Sequence, residues 1–177
     1  MSSNKKSRRK FLKNTALASS LFIVPRHVLG GNGYTAPSDK LNLAGIGLHG
    51  KGQSDILHSS VSGRENVVAL CDVHENAYGA QQAVKNFPKA KFYTDFREML
   101  DKEDLDGVTI STPDHTHANI SKSAMEKGIH VYVQKPLTHN VKEARMLTEL
   151  ARKNKIVTQM GNHCLLYTSD AADESSS

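Results

Sequence analysis

From residue 41 onward the chain breaks into six short β-rich runs separated by stretches of helical periodicity, and this alternation constrains the fold more than any single motif. The runs are residues 41–46, 67–71, 91–93, 107–111, 129–133 and 156–160. Between them apolar residues recur at helical spacing: Ala77, Ala80, Val84 and Phe87, then Phe96, Met99 and Leu100, then Ile120 and Ala124, then Val141, Ala144, Leu147 and Ala151. A strand that returns to its sheet through a helix-length connection runs parallel to its predecessor, with the helix packed on a face. The sequence therefore predicts an α/β fold, a doubly wound parallel sheet covered by helices on both sides. Local signals agree: Asp95 with Glu98 and Asn140 with Glu143 have capping-box spacing, and Gly128 stands where a helix should end before the next strand.

Directly after the first run comes Gly45-Ile46-Gly47-Leu48-His49-Gly50, with Gly52 beyond it. A G-x-G-x-x-G turn between a strand and a helix suits a dinucleotide. Gly45 is expected to permit the tight turn, Gly47 to let the backbone approach a pyrophosphate, and Gly50 to allow close packing of helix on sheet. His49 lies inside this loop, within reach of phosphates or simply exposed. Asp72 follows the second run, 22 residues after Gly50, where a carboxylate would bind the adenosine ribose diol. Its charge would repel a 2′-phosphate, which favours NAD over NADP. The same aspartate could merely cap the next turn.

Two polar segments follow the fourth and fifth runs: Ser111-Thr112-Pro113-Asp114-His115-Thr116-His117 and Gln134-Lys135-Pro136-Leu137-Thr138-His139. In an open parallel sheet both fall at the carboxyl edge, beside the glycine loop, where ligands bind. Held between an apolar strand and a proline, Lys135 is expected to be positioned and partly desolvated, fit to orient or polarise a substrate hydroxyl; it can also be read as a solvated loop lysine. His115, His117, His130 and His139 lack the flanking ligands of a closed metal site, so no metal is expected, and His117 is placed near the cofactor.

The chain carries a formal charge of +5, but the excess is local. Residues 1–30 hold seven of the 23 Lys/Arg and no acid, residues 164–177 hold three acids and no base, and the stretch between is close to neutral. That distribution removes the reason to propose nucleic-acid binding. The basic start, Ser7-Arg8-Arg9-Lys10-Phe11-Leu12-Lys13, precedes a mildly apolar run broken by serines and ending at Pro25, too short to span a bilayer. It resembles a twin-arginine export signal, which implies a folded passenger, a periplasmic or otherwise exported destination and no lasting membrane anchor. Cys71 and Cys164 have no metal-like spacing and form no disulfide framework; Cys71 reads as a small buried residue at a strand end.

Glycines 45–52, Cys71-Asp72-Val73, the run from Tyr93 to Leu100, Thr112 to His117 and Lys135-Pro136 together resemble the Gfo/Idh/MocA oxidoreductases, in order and spacing, over residues 40–162. The resemblance implies a Rossmann domain followed by an α/β substrate domain. It also implies oxidation or reduction of a small-molecule sugar or polyol at a CH–OH carbon by hydride transfer with NAD(P). It gives Lys135 of the family's E-K-P motif the substrate contact, and places Thr112 and Pro113 at the nicotinamide end. Gln134 stands where that motif has glutamate. The family's general base belongs to the second domain, so the expected organisation is a signal in residues 1–30, a linker in 31–40, a Rossmann domain in 41–163 and a non-native tail in 164–177. That tail looks like a translated sequencing adapter. Such a fragment is expected to be inactive alone, with a homo-oligomeric parent left open. Two other readings stand beside the oxidoreductase: a glycoside hydrolase that uses bound NAD transiently, and a non-catalytic dinucleotide-binding protein.

Overall fold

The computed structural model describes Ala36, residues 39–61 and residues 64–162. The chain divides into one unit of residues 1–39 and another of residues 40–177, and every element below belongs to the second. The expected export segment and tail lie outside the described residues.

Strands and helices alternate as β1 (Asn42–Ile46), α1 (Lys51–Ser59), β2 (Asn66–Cys71), α2 (Tyr78–Asn86), β3 (Lys91–Tyr93), α3 (Phe96–Lys102), β4 (Gly107–Ile110), α4 (His117–Glu126), β5 (His130–Gln134), α5 (Val141–Asn154) and β6 (Thr158–Gly161). A 3-10 turn, Asp114–Thr116, leads into α4. The six strands form one sheet in the order β3-β2-β1-β4-β5-β6, and every neighbouring pair is parallel. This is the doubly wound order of a Rossmann domain, with its reversal between β1 and β4.

Two apolar clusters cover the sheet. Leu48, Ile56, Leu70, Ala80 and Ala83 pack under α1 and α2, while Ile110, Ala124, Met125, Val133 and Leu147 belong to the larger cluster beneath α4 and α5. Burial along β2 does not alternate, because its register to β1 skips Val68: Leu43 pairs with Val67 and Ala44 with Ala69. That extra residue turns Val68 and Ala69 toward one cluster and Leu70 toward the other.

Helix ends show which sequence signals operate. The Asn140 side chain accepts from Glu143 N–H at 3.0 Å, and the Glu143 carboxylate reaches back to His139 N–H at 2.9 Å, one residue short of the reciprocal box. Asp95 caps α3 through Arg97 N–H rather than Glu98. Gly128, at φ +85°, closes α4 in a Schellman turn: Ile129 N–H donates to Ala124 and Gly128 N–H to Met125. The corresponding position after α5 is Lys155, a side-chain residue at φ 56°. An L-residue pays about 1–2 kcal/mol there. Lys155→Gly is expected to raise the urea midpoint of unfolding, by about 0.5–1 kcal/mol in stability once glycine's extra unfolded-state entropy is deducted. An unchanged or lower midpoint would show the left-handed conformation to be unstrained.

Candidate functional site

At the reversal of strand order the connections that leave the paired strands β1 and β4 part and open a cleft of about 530 Å³ at the carboxyl edge. Its walls include Gly47 and His49 from the first loop, Asp72 after β2, and Thr112 and Pro113 after β4, with Phe96 and Arg97 of α3 at one end. Four expected site residues, Gly47, Asp72, Thr112 and Pro113, thus share one cavity.

Gly47 is the narrowest point. At φ +80° its missing Cβ would lie 2.7 Å from the Ser111 carbonyl oxygen, so the two loops meet backbone to backbone. The other glycines take roles different from those expected. Gly45 lies inside β1, where a Cβ would press on Ile56 and Leu48 at 3.2 Å; it serves the seating of α1 rather than opening the turn. Gly50 is the N-cap of α1 at φ +57°, with open space around it, so its requirement is conformational rather than steric. The close helix–sheet packing belongs to Gly52, whose Cβ would fall 1.9 Å from the Gly47 carbonyl oxygen. Gly79 of α2 is comparably tight, 2.4 Å from the Leu48 carbonyl, and clamps the loop from outside. Sequence reasoning gives neither residue a site role, although Gly52 extends the visible motif.

The N-terminus of α1 carries no side-chain cap and no acidic residue in its first turn. Its leading N–H groups lack intrahelical partners, and the helix dipole there favours an anion. Asp72 braces the loop in front: one carboxylate oxygen accepts from Leu48 N–H at 2.8 Å, the other from His74 N–H at 3.1 Å. The turn-capping reading of Asp72 is therefore realised, and each oxygen retains a second lone pair toward the cleft it lines. Cys71, one residue earlier, is buried; burial first, then the charges of Asp72 and Asp95, push its thiol up to about 12.

The expected cofactor contact of His117 is corrected by its burial. The ring is wholly inaccessible, with Nε2 2.8 Å from the Thr112 carbonyl oxygen and Nδ1 2.6 Å from that of Pro136. Both neighbours are carbonyl oxygens, which can only accept. His117 joins the loop after β4 to the loop after β5 from below. The partial desolvation expected of Lys135 is not found: its side chain is exposed, it lies outside the 530 Å³ cleft, and it forms no ion pair with another described residue. What is held is its backbone, whose N–H donates to the Gln134 side-chain oxygen at 3.0 Å. No group of three His, Cys, Asp or Glu residues suited to a metal occurs among the described residues.

These contacts set an expected cost for each glycine. Gly52→Ala is expected to cost about 2–3 kcal/mol in urea unfolding, since rigid backbone blocks the new methyl. Gly50→Ala should cost about 1–3 kcal/mol, the strain of a side-chain residue at φ 57°, ψ −114°. A Gly52→Ala loss below about 1 kcal/mol would show that Gly52 does not set the approach of α1.

Comparison with known proteins gives this geometry a family. The Gfo/Idh/MocA model, described as an oxidoreductase family with an NAD-binding Rossmann fold, matches residues 41–162. Curated relatives include glycosyl hydrolase family 109 protein 1 of Shewanella sp. (strain ANA-3), 34% identical over 79% of this chain and 32% of its own length. Inositol 2-dehydrogenase of Salmonella typhimurium is 32% identical over 69% of this chain and 36% of its own. The chain spans about a third of the length of these relatives. Among solved structures, myo-inositol 2-dehydrogenase from Lactobacillus plantarum superposes with a TM-score of 0.65 at 23% identity, over 76% of this chain and 41% of that one. The WlbA dehydrogenase from Thermus thermophilus, in complex with NAD and UDP-GlcNAcA, gives 0.58 at 23%, over 68% and 41%. Strand order, the cleft at the reversal and the match over residues 41–162 converge: the chain belongs to the Gfo/Idh/MocA oxidoreductases and carries their NAD-binding Rossmann fold.

Proposed function

We propose that residues 41–163 are the dinucleotide-binding domain of an exported enzyme that oxidises or reduces a sugar or polyol CH–OH group, with NAD as the hydride carrier. The observation that supports it most is that Gly47 and Asp72 line one cleft at the strand reversal, with Asp72 bonded to Leu48 N–H in the loop that leads into the uncapped start of α1. The pyrophosphate would rest against the Gly47 turn and the α1 N–H groups. The free lone pairs of Asp72 would accept from the adenosine ribose hydroxyls, and its charge would disfavour NADP. Thr112 and Pro113 would line the nicotinamide end. NAD, when bound, supplies the acceptor for hydride from the carbinol carbon. The exposed ammonium of Lys135 would donate to the substrate hydroxyl and favour its deprotonation. The proton-accepting base would come from a further domain of a longer protein, so the 177-residue chain should bind the dinucleotide without turnover.

The proposed periplasmic destination rests on Ser7-Arg8-Arg9 and the serine-broken apolar run that follows. A redox-assisted glycoside hydrolase is the second reading, favoured by the family 109 glycosyl hydrolases among the relatives. Cofactor retained through purification, with glycoside cleaved and no net NADH formed, would select it.

Two measurements check the main reading. In calorimetric titrations of the full chain, Asp72→Asn should lower the preference for NAD over NADP by about tenfold, the loss of one close like-charge repulsion; an unchanged ratio would remove Asp72 from the ribose site. In the longer enzyme, Lys135→Ala should lower kcat/KM for the sugar by about 10²-fold or more while NAD affinity holds. Full activity in that variant would return Lys135 to the class of solvated loop lysines.

A further inference from the structure

Beneath the carboxyl edge, outside the cleft, lies a buried carboxylate that the glycine loop and the lysine motif do not include. Asp55 of α1 is 3% exposed, yet it is charge-paired and fully bonded. Lys51 Nζ, one turn earlier, lies 3.0 Å from one oxygen. The other oxygen accepts from the Ser111 hydroxyl at 2.7 Å and from Gln134 Nε2 at 2.9 Å. Three elements therefore meet on one group: α1, the end of β4 and the end of β5.

The orientation of the Gln134 amide follows from its partners. A carboxylate can only accept and a backbone N–H can only donate, so the nitrogen must face Asp55 and the oxygen must face Lys135 N–H at 3.0 Å. An amide satisfies both at once. An ionised glutamate at position 134 would set two carboxylate oxygens about 2.9 Å apart in a buried site, an arrangement in which both cannot stay charged. Gly161 presses on the same side chain, since a Cβ there would lie 2.8 Å from both Gln134 Nε2 and the Tyr132 hydroxyl, leaving little room to turn away. The Asp55 charge also reaches Tyr132, where it adds to burial in raising the phenol above its ordinary range.

We propose that Asp55 is a positioning residue for Lys135: it holds the buried negative charge beneath the sheet edge and, through the Gln134 amide, fixes the backbone from which Lys135 projects. Positions 55 and 134 form one unit, and only one of them carries the charge. Gln134, the departure from the lysine motif noted in the sequence, is the necessary partner of Asp55. The consequence for substrate rests on the role proposed for Lys135 above; the pairing of 55 with 134 does not.

The full 177-residue chain suffices for the test, without cofactor or substrate. Hydrogen exchange at the Lys135 amide and the urea midpoint are read for wild type, Gln134→Glu, Asp55→Asn and the double variant, near pH 7 and near pH 5. In the double variant the new amide at position 55 donates to the new carboxylate at position 134, which still accepts from Lys135 N–H, so the charge has only changed ends. Gln134→Glu is expected to speed Lys135 exchange about tenfold near neutral pH, the loss of one buried hydrogen bond. Its deficit should shrink as pH falls, because one carboxyl of the crowded pair has a raised folded-state pKa and its protonated form supplies the missing donor. The double variant should recover wild-type exchange and midpoint at both pH values. Should the Gln134→Glu single variant fail to fold, a folded double variant with a near-wild-type midpoint carries the same conclusion. Exchange in Gln134→Glu within about twofold of wild type near neutral pH, a deficit insensitive to pH, or a double variant no better than the worse single one would overturn the proposal. Loss of hydride transfer in the longer enzyme with this pairing intact would count instead against the role given to Lys135.

Discussion

The narrow contact between the first loop and the end of β4 is the constraint on which the rest of the site depends. Gly47 meets the Ser111 carbonyl with no space for a side chain, and Gly52 brings α1 down onto Gly47 from behind. Because α1 is seated so closely, its uncapped N-terminus follows directly on the loop that lines the cleft, and Asp55 on its inner face reaches Ser111 after β4 and Gln134 at the end of β5. A looser helix would lose the anion-binding end and the buried carboxylate together. The geometry of binding and the support of the lysine loop are thus two results of one close packing.

The architecture is largely legible in the sequence because its signals are local and repeated. Strand–helix alternation, glycine at the strand-to-helix turn and a carboxylate 22 residues on each follow from short-range rules, and the six strands lie within a residue or two of the expected runs. Two of the glycine roles expected from spacing fall two residues later: the turn opens at Gly47 rather than Gly45, and the close packing of helix on sheet belongs to Gly52 rather than Gly50. G-x-G-x-x-G can be laid on Gly45-Gly47-Gly50 by spacing, but only the end of β1 at Ile46 shows that the turn begins at Gly47. Where a strand ends is decided by pairing with distant neighbours, which no local pattern contains.

The support beneath the site is not legible for the same reason. His117 stands in a polar loop motif, and its type suggests the cofactor; its two carbonyl partners lie 5 and 19 residues away and remove it from the cleft. Asp55 belongs to none of the motifs that the sequence displays. Its burial arises from Ser111 and Gln134, 56 and 79 residues further on. The one trace visible beforehand is glutamine at a position where the family motif has an acid, which becomes intelligible only once the neighbouring carboxylate is known.

The burial of Cys71 has a practical side. With its thiol pushed up to about 12, the side chain behind Asp72 is almost wholly protonated at neutral pH. Cys71 is 3% exposed at the wall of the cleft, so soluble alkylating reagents meet little thiolate and little accessible surface while β2 stays paired with β1 and β3. In a chain whose Cys164 has been replaced by serine, the labelling rate would therefore clock the opening of the central strands themselves. The dinucleotide fold thus carries its own reporter of native-state breathing, one strand position away from the carboxylate that braces its glycine loop.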